Sequence, residues 1–509
     1  MLRARRVGWV GLVLLAAGVG ARAQAPAPSP EAEAVLGRIS ADSLRGNLSF
    51  LASDLLEGRD TPSRGLDLAA EYIAAQFRKA GIEPAGDEGY FQVARWKVAE
   101  SDPATFSCVV KVGDKSWTIL ADRVSLPSPG PFEVGPVAIR KLAEKDLEAA
   151  GDSVEGKAVV VEPPGEPRAA GPFFNQLLKL KPALAITLEP TAAAAGLGRG
   201  RLIDPEANAR GGMRAPQGPK RLAIHDAAAA EAIRQALADG QEATIELKLG
   251  APVERPVALR NVVGKLAGSD PTLKDTYVLL TAHYDHVGIG EPQNGDRIYN
   301  GANDDGSGTV SVIEIATALA GLKAKPKRSI LFVCFFGEEK GLLGSRYYGR
   351  HPIAPLEKTV AQVNLEHMGR TDDTEGARLN AVSVTGYDYS TMVDALILAG
   401  KATGIEIQKH PRNSAQFFGA SDNQALADLG IPAHSVCTSF IFPDYHQPGD
   451  HWDKVDYDNM AKVDRMVALA LLGLANDPNE PTWKADLPAV SRYARAREQL
   501  KAGGAKPQP

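Results

Sequence analysis

The sequence predicts an α/β protein: a three-layer sandwich around a mixed, largely parallel central sheet, with a β-rich module inserted into it. Three observations predict it. From residue 260 onward, apolar strands alternate with amphipathic helices, the pattern of strands joined by helical crossovers. Between about residues 101 and 255 the texture changes to short strands, turns and a stretch rich in Gly, Arg and Pro. Histidines and carboxylates gather just past the predicted strands, where open α/β sheets bind their ligands.

A chain of 509 residues suggests two to four domains, and 44% hydrophobic with 23% charged residues is ordinary for a globular protein. The formal net charge of -5 gives no sign of a nucleic-acid or anionic-membrane partner. Arg3, Arg5 and Arg6, an apolar run over 7–19 and the small residues of Ala21-Arg22-Ala23 have the form of a secretory signal. Residues 1–23 are therefore expected to be cleaved after Ala23, leaving a secreted or periplasmic protein with no membrane partner; the run is too short to span a bilayer. Residues 24–37 read as a flexible spacer. The three cysteines, Cys108, Cys334 and Cys437, lack metal-type spacing, and the last two lie in apolar runs as core thiols.

Residues 38–100 form the first part of the expected catalytic unit. The pattern is helical over 39–80, with Leu68, Tyr72, Ile73 and Phe77 on one face and Gly81 as the stop. The insert, 101–255, offers strands at 107–112, 157–161, 184–188 and 243–249, helices at 173–180 and 227–237, and a long loop at 196–219. The second catalytic part, 256–475, has strands at 277–282, 329–336, 359–365, 379–384 and 433–438, with helices at 307–322, 389–403 and 458–474. The polar, Pro-rich segment 476–509 reads as a peripheral tail.

Five segments carry chemistry: His283-Tyr284-Asp285-His286, Gly301-Ala302-Asn303-Asp304-Asp305-Gly306-Ser307-Gly308, Gly337-Glu338-Glu339, Asn364-Leu365-Glu366-His367-Met368-Gly369, and Asp444-Tyr445-His446 through Asp450. Their nitrogen and carboxylate donors suit zinc, and no cysteine takes part. Two cations need a shared ligand, for which a carboxylate serves, and a water held between them ionises near neutral pH. A further carboxylate must then carry the proton to the leaving amine. Adjacent Glu338 and Glu339 diverge from an extended strand end, so one can ligate while the other acts as base. Singly, each element also fits a solvated turn or a structural pair; five in one order, at strand ends of one unit, are hard to obtain by accident.

In these segments the sequence resembles the M28 zinc aminopeptidases of the Streptomyces/Aeromonas leucyl aminopeptidase type. The resemblance covers about 38–100 and 256–475 and includes Leu56-Glu57-Gly58-Arg59 before the first long helix. The middle region, with Gly156-Lys157-Ala158-Val159-Val160-Val161, resembles a protease-associated (PA) domain. The resemblance implies an exopeptidase acting on peptide substrates with two zinc ions per chain, working through a metal-bridging hydroxide. It implies His283 and Glu366 as ligands of the first zinc, Asp304 as the bridge, and Glu339 and His446 as ligands of the second. It further implies Asp285 as the carboxylate orienting His283, Glu338 as general base, and Tyr445 as the phenol that polarises the scissile carbonyl.

One departure is Glu366, where bacterial relatives usually have Asp; its extra methylene shifts the carboxylate by about one bond length. Asn423 stands where many members have His, and its loop is assigned to the substrate pocket. His286, His367 and His451 are expected to support the site without ligating, Asp305 and Asp450 to hold loop geometry, and His225, His351, His410 and His434 to be surface or core residues. Rival readings remain: a zinc carboxypeptidase, dipeptidase or amidohydrolase on the same scaffold, a metal-free binding ectodomain like the transferrin receptor, or a one-zinc enzyme like glutaminyl cyclase.

Overall fold

The structure is a computed structural model that describes residues 29–126, 130–147, 153–164, 167–189, 196–197, 200–206 and 221–503. The expected signal segment and its cleavage point, and most of the expected loop at 196–219, lie outside the described residues.

The apolar strands assemble as expected into a mixed central sheet. Its order is Glu406–Gln408, Ala381–Val384, Ala433–Cys437, Thr359–Glu366, Tyr277–His283, Ser329–Phe335, Val253–Leu266, Phe91–Glu100 and Arg201–Ile203. The parallel part is its centre: Tyr277–His283 lies between Ser329–Phe335 and Thr359–Glu366, and the latter pairs with Ala433–Cys437, all in one direction. Both flanks join antiparallel.

Strand periodicity sorts the core into two layers. Val278, Leu280 and Ala282 face one way with Ile330, Phe332 and Cys334, against helices Pro30–Leu36, Ala41–Leu51, Arg64–Ala80, Gly308–Ala320, Met392–Thr403 and Tyr457–Asn476. Leu279, Leu331, Val333 and Phe335 face the other way, against Leu343–Arg350, Asn423–Ala427 and Ser491–Lys501. Strands buried on both faces explain the unbroken apolar runs. Helix Gly308–Ala320 is buried nearly all round, which fits its Val, Ile, Ala and Leu content.

A second sheet, in the order Lys115–Ile119, Ser107–Val112, Ala243–Leu249, Phe132–Lys141, Ala158–Val160, Leu184–Leu188, Arg221–Ile224 and Val124–Ser125, has apolar clusters of its own. The long pair Phe91–Glu100 and Val253–Leu266 leads to and from it, in register from Val262 opposite Phe91 to Val253 opposite Glu100. Arg201–Ile203, expected in a loop, instead adds a strand to the central sheet beside Lys97–Ala99.

Three other expectations are corrected. Pro30–Leu36, read as spacer, is a helix: the Ser29 hydroxyl accepts from Ala32 N at 3.2 Å, Pro opens the first turn, Glu31 and Glu33 favour its positive end, and Val35 and Leu36 are buried. In Arg64–Ala80 the inward stripe is Leu66, Ala69, Ala70, Ile73, Ala74 and Phe77, while Leu68 is 40% exposed; three alanines let that face sit close to the sheet. The tail is not peripheral either. Trp483, Val490, Tyr493 and Leu500 are buried on the second face, Trp483 Nε1 donates to Gly430 O at 2.9 Å, and its ring stacks on Tyr493.

Asp464, on helix Tyr457–Asn476, is fully buried, and neither carboxylate oxygen has a hydrogen bond of normal geometry. Burial, with the Glu314 charge adding to it and the neighbouring Ser311 hydroxyl opposing, pushes its carboxyl up to about 8. A carboxyl raised in the fold keeps its proton while the unfolded chain, titrating near ~4, releases it, so stability falls as pH rises between those values. Asp464→Asn removes that slope. Thermal melts should show the variant gaining on wild type from pH 5 to pH 8, by roughly 4 kcal/mol at most; parallel pH profiles would contradict this.

Candidate metal centre

The four parallel central strands end at one edge, and their carboxyl ends bring the polar segments together. His283 closes Tyr277–His283, Glu338 and Glu339 follow Ser329–Phe335, Glu366 closes Thr359–Glu366, and the segment after Ala433–Cys437 leads to His446. Asp304 comes from the turn that opens helix Gly308–Ala320. His283, Asp304, Glu338, Glu339, Glu366, Tyr445 and His446 all line one cavity of about 310 Å³.

Asp304 lies at the middle of this cluster. Its Oδ1 is 3.4 Å from His283 Nε2 and 3.7 Å from His367 Nε2; its Oδ2 is 3.1 Å from His446 Nε2 and 4.0 Å from His286 Nδ1. On the first side, Glu366 Oε2 is 3.7 Å from His283 Nε2. On the second, Glu339 Oε1 is 3.2 Å from His446 Nε2 and 2.8 Å from His286 Nδ1. One carboxylate thus faces two groups of donors with its two oxygens.

The supporting contacts explain why irregular loops hold this geometry. Asp285 Oδ1 accepts the Glu338 N–H at 3.0 Å and lies 3.5 Å from His283 Nδ1, while its Oδ2 accepts from Thr61 Oγ1 at 3.1 Å. Asp305 takes the N–H groups of His283 (3.3 Å), His367 (3.2 Å) and Gly308 (3.2 Å); Asp450 takes those of Asn303 and Asp304. From the Leu56-Glu57-Gly58-Arg59 segment, the buried Arg59 guanidinium donates to the carbonyls of Tyr284, Leu51, Asn300 and Gly301 at 2.6–2.8 Å, tying two site loops together. Burial lowers the Arg59 pKa to about 10, with the charges of Asp285, Asp450, Asp304 and Asp305 opposing that loss, so it stays cationic at neutral pH.

The longer side chain at Glu366 is accommodated: Oε1 takes a close hydrogen bond from the Ser421 hydroxyl, which accepts in turn from Asn364 Nδ2 at 2.9 Å. Asn423 sits behind the cavity wall, accepting from Ser435 Oγ and donating to Phe418 O. His451 is apart from the cluster, beside Asp296. His286 and His367, set aside by the sequence reading, lie against Asp304 on opposite sides; adjacency to motif residues was the available signal.

The electrostatics call for positive charge. Burial alone would depress the histidines, yet surrounding carboxylates raise His283 well above its usual value, His367 to about 9 and His446 to about 10. Asp304 is held well below the usual range because the hydrogen bonds of His283, His367 and His446 outweigh its burial. Glu338 goes the other way: burial, with Glu366, Asp422 and Glu339 adding to it and His283 opposing, holds it well above. Burial, then the nearby carboxylates, also raises the Tyr445 phenol, which stays protonated and stacks on the His446 ring at 4.1 Å. Protons on the histidines here occupy the place of cations. The donors fit zinc: imidazole and carboxylate without thiolate, with buried Glu339 Oε1 and both His286 ring nitrogens lacking a hydrogen bond of normal geometry.

Residues 261–471 match Peptidase family M28. The chain is 26% identical over 285 residues to a probable leucine aminopeptidase 2 of Aspergillus oryzae, covering 51% of this chain and 53% of that one; it spans about half the length of such curated relatives. Its fold is similar to that of a zinc aminopeptidase from Bacillus subtilis (TM-score 0.57, 18% identity, 89% of this chain and 97% of that one). It is also similar to that of an aminopeptidase from Aneurinibacillus sp. strain AM-1 (TM-score 0.56, 19% identity, 88% and 97%).

Proposed function

We infer, from a chain that carries a Peptidase family M28 domain, that this protein is an exported, two-zinc aminopeptidase that removes the N-terminal residue of peptides. The observation that carries this reading is the position of Asp304, whose two oxygens face separate donor groups within one cavity. His283, Asp304 and Glu366 would hold one ion, and Asp304, Glu339 and His446 the other. Bound there, the pair would supply Lewis acidity toward a carbonyl oxygen and toward water.

The chain's own residues supply the rest. Asp285 fixes the His283 ring and, through the Glu338 N–H, the position of the base. Glu338, whose proton affinity burial raises, takes a proton from the attacking water and returns it to the departing amine. Tyr445, still protonated at neutral pH, donates to the carbonyl oxygen as charge builds there.

The lining favours an amino end. Glu338, Glu339, Glu366 and Asp304 face the cavity, and no Lys or Arg is among its described lining residues. Two zinc ions would offset much of that charge, so hydrogen bonding separates the two ends: a free α-amine can donate to these carboxylates, whereas a C-terminal carboxylate would find no guanidinium to hold it. Phe417, Phe440 and Ile441 give the first side chain an apolar wall. Arg3, Arg5, Arg6 and the apolar run after them support export. Among the described residues, no helix is long and apolar enough to cross a membrane.

The test compares leucyl p-nitroanilide with its N-acetylated form. The free amine should be cleaved at least ~100-fold faster, because acetylation removes the donor that the lining carboxylates recognise. Equal rates would make the protein a different kind of amidohydrolase.

A further inference from the structure

His286 has no role in the reading above. It is fully buried, and neither ring nitrogen makes a hydrogen bond of normal geometry. Such a side chain is costly unless something satisfies it. Its Nδ1 points into the second donor group, 2.8 Å from Glu339 Oε1 and 4.0 Å from Asp304 Oδ2. One donor atom from each of His286, Asp304, Glu339 and His446 lies within 4.8 Å of the other three. Donors about 2.0–2.1 Å from a tetrahedral ion are about 3.3 Å apart, and the separations of 2.8, 3.1, 3.2 and 4.0 Å bracket that value. The two imidazoles meet at 76°, with ring centres 5.5 Å apart, as two ligands approaching one point from different directions do.

The ring is also held in place. Gly301, at φ 60°, lies directly beneath it: a Cβ there would come within 2.4 Å of the His286 Cγ. The His286 N–H donates to Arg59 O at 3.2 Å. The backbone therefore has a side-chain-free position where this ring packs, and the imidazole is pinned with Nδ1 toward the donors.

We propose that His286 is a fourth protein ligand of the cation held by Asp304, Glu339 and His446. This rests on the two-ion reading and deepens it. That ion would have four protein donors and could take a water or a carbonyl oxygen only by expanding to five-coordination, so His286 would set the affinity of one subsite and leave the other unchanged.

The test uses the full chain loaded with cobalt. Each ligating imidazole with a protonated second nitrogen gives an exchangeable proton resonance shifted far outside the normal range by the paramagnetic ion. His286→Gln should remove one such resonance from the dicobalt protein and weaken one of two binding events in a zinc titration at least tenfold. An unchanged set of shifted resonances overturns the proposal, and His286 is then only a hydrogen-bond partner of Glu339. Should the variant not fold, long-range ¹H–¹⁵N spectra of wild type decide: zinc must move the His286 Nδ1 resonance to the position of a ligated nitrogen, and an unligated shift refutes ligation. If wild type binds no second ion at all, the two-ion reading fails, an outcome distinct from failure of His286 alone.

Discussion

Glu338→Gln is expected to bind its full complement of zinc and yet lose turnover by about 10²–10⁴-fold, the usual range for removing a general base. Glutamine keeps the shape of the side chain, and the backbone N–H of residue 338 can still donate to Asp285. What it lacks is proton affinity, which burial and the carboxylates of Glu366, Asp422 and Glu339 raise at this position. Because a buried carboxylate also strains the fold, the variant should melt no lower than wild type. Steady-state kinetics with zinc analysis on the same preparation checks it. A variant with ordinary kcat would remove Glu338 from the chemistry, and one that had lost zinc would make it a ligand.

Asp304→Ala should have the second large effect, through metal content. Among the described residues, Asp304 is the carboxylate that faces both donor groups, with Oδ1 toward His283 and Oδ2 toward His446. Without it each group loses a donor, and two cations would face each other with no anion between them. Zinc affinity should fall by at least ~100-fold, as loss of even a supporting partner costs 10–100-fold, and peptide hydrolysis should fall with it. Unchanged stoichiometry in the alanine variant would rule out a bridge at this position.

Much of this arrangement was legible in the chain because metal chemistry interrupts apolar strands with charge at predictable places. The runs that lead to His283, Glu366 and Glu338 are unbroken buried stretches, so the charged residues at their ends had to emerge at the sheet edge. The side chains beyond those ends were harder. His367 and His446 have left-handed backbone at φ 48° and 52°, and His286 lies past the end of its strand, so period two no longer says where they point. Neither His286 nor His367 has a place in the ligand set that the family resemblance implies, yet the fold turns both toward Asp304. Leu56-Glu57-Gly58-Arg59 stood out as a motif, but that its guanidinium gathers four carbonyls from three separate segments is a tertiary fact. Composition misled at both ends: Pro- and Ala-rich 25–30 suggests a spacer running to 37, yet 30–36 is a capped helix, and the polar tail carries Trp483 and Tyr493 into the core.

The most direct test of the whole account is the number of zinc ions bound per chain after the apo-protein is equilibrated with zinc and freed of excess. Two ions per chain are expected, because Asp304 joins two donor groups. A plateau at one ion, or none, would contradict the shared carboxylate on which the proposed chemistry depends.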